Sequence, residues 1–212
     1  PRILAAYLIG AALSVSGAAY QGVLKNPLVS PDILGVSSGA GMGAAIAIML
    51  GLGSLFIQAF AFAAGILAVG LAYFFAKRVR FDRRVSMILA GVLVGSLAFS
   101  VTSLLKYLAD TSTQLPEITY WLMGSLTKVD YKSLLFSVPF MAAGFLILFL
   151  MSWRINVLTL DEIETVSLGV NSKSSMLTVI LGATLLSSAS VCLGGLIGWV
   201  GLMIPHMSRS LA

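Results

Sequence analysis

The chain has 212 residues, 58% of them hydrophobic and only 10% charged, with a mean hydropathy of +1.01. Soluble domains run at about 25% charged and about 45–50% apolar residues, so this composition argues against a soluble enzyme or a nucleic-acid module. The net charge of +5 does not reverse that reading, because the 13 basic and 8 acidic residues fall in short gaps between long uncharged runs.

At roughly 20 apolar residues per crossing, the length holds about six or seven membrane helices, an all-α polytopic membrane bundle forming one domain over residues 1–212. Six uncharged stretches carry it: Ile3 to Leu24, Ile33 to Leu50, Leu55 to Ala76, Val85 to Leu105, Ser133 to Trp153, and Met176 to about Ile204. They are too long and too continuously apolar for the alternating strands of a barrel. The first lacks the charged leader and cleavage site of a signal peptide and reads as a retained span. Because the chain opens on Pro1-Arg2 in mid-segment, a preceding segment is expected. The last run exceeds one crossing and carries Gly194, Gly195, Gly198 and Gly201 before Pro205, so a break is expected near Gly194.

The connection Lys77 to Arg84 carries five basic residues against one acid, which places it in the cytoplasm. Alternation then sets Asn26-Pro27-Leu28 and residues 154–175 inside, with Pro1, Gly51 to Ser54, Lys106 to Lys132 and His206 outside. Small residues recur at helical spacing, Gly35, Gly39 and Gly43 in one run and Gly91 and Gly95 in another, and permit close helix packing in lipid. At an offset of 178, Gly17, Leu24 and Pro27 fall on Gly195, Leu202 and Pro205, a faint internal repeat of the kind transporters use.

The first five runs contain no Asp, Glu, Lys, Arg or His, which argues against proton-relay or ion-coupled transport. One cysteine, Cys192, excludes a disulfide framework, and one histidine cannot build a three-ligand zinc site, so no metal site is expected. Met203, His206 and Met207 read as packing and a hydrogen-bonded histidine rather than soft-metal ligands. Gly35-Val36-Ser37-Ser38-Gly39 matches the nucleophile-elbow pattern, but it opens a membrane helix and the histidine is about 170 positions away. An intramembrane hydrolase using Ser37 is one alternative reading; an ATP-independent channel or carrier is another.

Two polar segments carry positive signals. Thr159-Leu160-Asp161-Glu162 has the T-x-x-E form of a capping box, Asp161, Glu162 and Glu164 favour a helix N-terminus, and Gly169 suits a left-handed helix end. The product expected is a short helix, a turn at Leu168-Gly169 and a new start near Asn171-Ser172. Its Leu160, Ile163 and Ser167 side would either tie two spans together or form a knob for a soluble partner. On the other face, Pro116 to Gly124 reads as an interfacial helix with Tyr120 and Trp121 at the membrane boundary.

The strings SGAAYQGVLKNPLVSPDILGVSSGAGMGA, ITYWLMGSL, LDEIETVSLGVN and GGLIGWVGLMIPHMSR resemble the FecCD-like permeases of type II ABC importers for iron-siderophores, haem and cobalamin, over essentially the whole chain. The resemblance implies part of a ten-helix bundle, beginning at the second helix and lacking the last ones. It also implies a multi-pass bacterial cytoplasmic (inner) membrane location in contact with lipid. The partners it implies are a second permease copy (identical or a paralogue), ABC ATPase subunits that bind ATP and magnesium in place of this chain, and a periplasmic or lipid-anchored binding protein. Residue by residue, Arg2 resembles the arginines that dock the binding protein. Asn26, Pro27 and Leu28 match the cytoplasmic gate loop, and Arg84 and Val85 match its second element. Glu162, Leu168 and Gly169, with Glu164 beside them, match the coupling loop within residues 154–175. No catalytic residue is implied.

Overall fold

The computed structural model describes residues 1–79 and 82–211, so Arg80 and Phe81 of the basic loop and the terminal Ala212 lie outside the described residues. The fold is all-helical, with no strand among them. In chain order the helices are α1 (Arg2–Leu24), α2 (Val36–Met49), α3 (Ser54–Arg78), α4 (Arg83–Leu108), α5 (Gln114–Met123), α6 (Tyr131–Leu150), α7 (Ser152–Leu158), α8 (Glu162–Ser167), α9 (Ser172–Gly194) and α10 (Val200–Leu211). Five of them, α1, α3, α4, α6 and α9, are long and apolar enough to cross a membrane. The end of the bundle bearing Lys25, Arg78, Arg83 and Arg154 is here termed the basic end.

Helix α9 is the central post. Its apolar window is 78% buried, against 33–44% for the other four long helices. Without water at this depth polar groups need internal partners, and three of the α9 hydroxyls find them nearby, whereas the buried Ser188 hydroxyl has none among the described residues. Thr184, Ser187 and Ser190 donate to carbonyls one turn back, and the Thr184 hydroxyl also meets the buried Tyr20 hydroxyl of α1 at 2.7 Å.

The run Ile33 to Leu50 is not a full span. Helix α2 has 14 residues, about 21 Å at 1.5 Å per residue, short of the ~30 Å hydrocarbon core. The rest is a 3-10 turn, Pro31–Leu34, that re-enters the bundle. Pro31 lies against Gly201, which itself lies against the carbonyl of Leu13, halfway along α1. Irregular backbone at that depth is tolerated only inside protein, and Ser30, Pro31 and Leu34 are buried. Gly91 of α4 makes the room: a Cβ there would stand 2.5 Å from the Ile33 carbonyl oxygen. One carboxylate, Asp32, is thereby carried inside, where it accepts the hydroxyl of Ser37.

The last run does break where its glycines cluster. Helix α9 ends at Gly194, Gly195 has φ +74°, and Trp199 also takes a left-handed backbone at φ +68°. The chain then turns back, so His206 does not lie at the outer end as alternation had it. Gln21 Nε2 donates to the Leu202 carbonyl at 3.4 Å, and the guanidinium of Arg209 bonds Gln21 Oε1, which sets α10 beside the basic-end half of α1. Moving Arg209 to that end sharpens the charge asymmetry that set the orientation. The faint repeat has no matching local structure: α1 ends before Pro27, whereas Pro205 sits within α10.

Opposite the basic end, α5 runs as the Pro-to-Gly signal predicts, closing at Gly124 with φ +71°. It is pinned to the end of α9 where the Ser125 N–H donates to the Gly194 carbonyl at 2.8 Å. Exposed carboxylates order the flanking turns. Asp110 accepts from the Thr113 hydroxyl and the Thr113 and Ser112 N–H groups, and Asp130 caps α6 through Ser133. The Thr113 and Ser133 bonds hold both carboxyls below their ordinary range.

Two predictions follow from these contacts. A Cβ on Gly17 would collide with the Gly201 carbonyl, whereas one on Gly70 meets nothing within 4 Å. Gly17→Val is expected to destabilise by about 1–3 kcal/mol or more, as overpacking does, and Gly70→Ala, inside α3, to be neutral or to stabilise by up to about 1 kcal/mol; equal melting temperatures of the two variants in detergent would refute the packing. Because the carboxyl pKa values of Asp110 and Asp130 are depressed on folding, their contribution is complete above about pH 4 and disappears as pH falls through the lowered values. Hydrogen-exchange protection of the Ser112, Thr113 and Ser133 amides should therefore drop only in acid, and a uniform profile from pH 7 to 2 would contradict it.

Candidate functional site

At the basic end, three chain segments distant in sequence meet around a cavity of about 440 Å³. Lys25 lines it at the end of α1, Asp82, Arg83 and Arg84 at the start of α4, and Leu158, Asp161, Glu162 and Thr165 beside α8, with Lys173 at the start of α9. Each segment is fixed locally. Lys25 ends α1 in a left-handed conformation, φ +48°, and its N–H bonds back to the Gly22 carbonyl. Asn26 then folds the turn that follows, its side-chain oxygen accepting the Leu28 N–H at 3.0 Å, an Asx turn. Leu28 is left exposed at its tip. Asp82 caps α4 by accepting the N–H groups of Arg84 and Val85 at 2.7 and 3.4 Å.

The short helix α8 starts two residues later than the T-x-x-E reading. Its capping box is Asp161 with Glu164, whose carboxylate accepts the Asp161 N–H at 3.4 Å. Thr159 instead closes α7, its hydroxyl donating to the Asn156 carbonyl at 2.7 Å. The D-x-x-E pattern at 161–164 overlaps T-x-x-E at 159–162, and the sequence alone does not rank them. The turn after α8 is the expected one. Gly169 has φ +73°, the Val170 N–H returns to the Thr165 carbonyl, and Asn171 caps α9 through the Ser174 N–H at 3.1 Å.

The Leu160, Ile163 and Ser167 side of α8 is exposed, and the packed side is the one that carries Thr165. Thr165 is the buried residue, with its hydroxyl within hydrogen-bonding distance of the Val157 and Asp161 carbonyls, 3.1 and 2.9 Å. Ile163, Val166 and Leu168 face outward, Ile163 at 83% exposure, and Leu160 and Ser167 are exposed too. An apolar, outward-facing edge on a capped helix is the form that the knob alternative requires.

Lys25 joins the first segment to the third. Its ammonium donates to the Leu160 carbonyl and stands 4.0 Å from the Asp161 carboxylate, the one ion pair among the described residues. The 93% exposure of the Asp161 side chain makes the Coulomb part of that contact weak, so the carbonyl bond is its firmer half. Lys25 did not stand among the sequence candidates, and Asp161 stood there only as an acid favouring a helix start; a lysine directly before the Asn-Pro turn was the available signal.

The structure therefore brings Lys25, the Asn26 to Leu28 turn, Arg84 and Glu162 to one end of the bundle, with Glu164, Leu168 and Gly169 on the exposed knob beside them. Arg2 is at the opposite end, its guanidinium donating to the Thr127 carbonyl at 3.0 Å. Ser37 sits in the second position of α2, behind a left-handed Gly35, in a turn-to-helix rather than a strand-to-helix setting. No group of three His, Cys, Asp or Glu side chains fit to hold a metal occurs among the described residues.

Comparison with known proteins places the chain in a family. The sequence matches the FecCD transport family over residues 1–212. It is 42% identical to the molybdate import system permease protein MolB of Haemophilus influenzae, over 100% of this chain and 63% of that protein. It is 33% identical to the hemin transport system permease protein HmuU of Yersinia pestis, over 99% of this chain and 64% of that protein. A solved metal-chelate type ABC transporter in an inward-facing conformation superposes with a TM-score of 0.91 at 38% identity, covering 100% of this chain and 67% of the other. The chain thus spans a little under two thirds of the length of the curated relatives it matches, and it belongs to the FecCD transport family.

Proposed function

We propose that this chain is membrane-spanning permease structure of an ATP-driven importer in the bacterial cytoplasmic membrane. Its cargo is a metal-containing ligand: a bulky chelate of the iron-siderophore, haem or cobalamin class, or an oxyanion like the one for which the Haemophilus relative is named. Separate ATPase subunits bind ATP and magnesium and dock on α8, a binding protein docks near Arg2, and a second permease copy completes the pathway. The chain itself performs no covalent chemistry.

The observation that carries the reading is the Lys25 tether. Closure of an ATPase groove on Ile163, Val166 and Leu168 would displace α8, and the Lys25 bond to the Leu160 carbonyl passes that displacement to the turn at Asn26, Pro27 and Leu28. The start of α4 borders the same cavity through Arg84, with Val85 next to it in the chain, and would move against it. Glu162 and Glu164 set the acidic rim that a basic partner surface would recognise, and Gly169 sets the angle at which the knob leaves α9. The three-residue Asn26 to Leu28 turn then acts as a gate at the inner mouth.

Two variants test this in vesicles holding the permease, its ATPase and its binding protein. Gly169→Val has free space around the new side chain, so any effect comes from forcing a β-branched residue to positive φ. Cargo moved per ATP is expected to fall at least about fivefold, in line with 1–2 kcal/mol of backbone strain, while membrane insertion is unchanged. Lys25→Met should likewise lower cargo per ATP while ATP hydrolysis continues. Normal uptake in both would overturn the coupling role. Solute flux through the permease alone, without nucleotide, would favour a free-standing channel, and labelling of Ser37 by a fluorophosphonate would favour a hydrolase.

A further inference from the structure

Beside the cavity just described, and sharing Arg83 and Lys173 with it, a second hollow of about 600 Å³ opens between the end of α3, the start of α4 and the start of α9. Lys77, Arg83 and Lys173 line it together with the Ser174 hydroxyl, and no carboxylate lines it among the described residues. Three cations converging on one concavity repel one another, at a cost that a bound anion would relieve. Of the three acids that line the adjoining cavity, Asp82 accepts the N–H groups that start α4, Asp161 faces Lys25, and Glu162 pairs with no cation among the described residues.

The hollow has an apolar side as well as a charged one. Ala76, Val79 and Leu177 complete its wall. Its depth in a membrane is marked by the last turns of α3, where Phe74 and Phe75 are exposed and Lys77 and Arg78 follow directly. The Arg78 guanidinium folds back over the Phe74 ring at 4.8 Å. Exposed aromatic residues followed by cations mark the boundary between acyl chains and headgroups. Arg83 is held in place at that boundary, donating to the Tyr73 hydroxyl at 2.6 Å with its guanidinium 5.4 Å from the Tyr73 ring centroid. On α9, one turn beyond Leu177, Leu181 is half-exposed and extends the apolar surface away from the basic end.

We propose that this hollow binds the headgroup of an anionic phospholipid. The phosphate sits among Lys77, Arg83 and Lys173, and one acyl chain lies along Leu177 and Leu181. Basic pockets between helices on the cytoplasmic side are suited to such headgroups, and the apolar wall distinguishes a lipid from a free phosphate ion. Because Arg83 and Lys173 also border the cavity beneath α8, the lipid would abut the segment through which the gate is moved.

The test uses the protein purified in neutral detergent and measures, by native mass spectrometry, retention of phosphatidylglycerol against phosphatidylcholine. The triple variant Lys77→Gln, Arg83→Gln, Lys173→Gln is compared with a control triple at the opposite end, Lys106→Gln, Lys128→Gln, Lys132→Gln. Phosphatidylglycerol retention is expected to fall at least about tenfold in the first triple alone, with phosphatidylcholine unchanged. The conservative set Lys77→Arg, Arg83→Lys, Lys173→Arg should keep it, which separates lost charge from lost fold. Equal retention in the two Gln triples would overturn the proposal. So would displacement of the lipid by millimolar inorganic phosphate at matched ionic strength, since that would mark a free-anion site. Loss of phosphatidylglycerol retention when the ATPase is bound would also overturn it, by assigning the basic hollow to a protein contact.

Discussion

Close approach of backbone to backbone is the constraint on which the rest of this structure depends. In lipid, apolar side chains gain little by leaving their surroundings, so helices associate through dispersion contacts and complementary surfaces. Here contact is gained by removing side chains. Gly17 lies against Gly201, Gly39 and Gly43 lie against α3, and Gly91 receives the turn at Ile33 and Leu34. The last of these lets non-helical backbone enter the bundle at the level of Leu13. A side chain at Gly91 would collide with that turn.

That re-entrant turn explains how much of the fold was legible in the sequence and where legibility stopped. Apolar length located the five long helices to within a few residues at most ends, because length and hydropathy are set by the bilayer itself. Ile33 to Leu50 has the same hydropathy as a span, yet contains a 3-10 turn and a half-length helix. Hydropathy reports what a segment tolerates around it, and the interior of a protein bundle is as apolar as lipid. The same limit misplaced His206: alternation counts crossings, and it missed the reversal that Gly195 and Trp199 make between α9 and α10.

The basic-end site was legible in part, for a different reason. The Gly169 turn and the Asn171 cap follow from backbone rules local to a few residues, so they were readable. The capping box was readable as a kind of motif but not in register, because two overlapping patterns satisfied it. What packs against what was not readable. Ile163 looks like a core residue by type, and Thr165 looks like a surface one, but Thr165 is buried by its two carbonyl partners and Ile163 is exposed. The Lys25 tether joins residues 135 positions apart, beyond the reach of any local pattern. The roles of Glu162, Leu168 and the Asn26 to Leu28 turn came from family resemblance and not from local physics.

The completeness of the capping around α8 bears on its mechanics. A helix of six residues is too short to hold itself together by its own ladder, and an isolated one would melt under load. Here the box at its head, the Thr165 bonds along its flank and the return of the Val170 N–H at its foot close the ends of the element. Pushed from outside, such an element tilts as a solid piece instead of unravelling. Work applied to its exposed edge is then passed on as displacement and is not dissipated as local disorder.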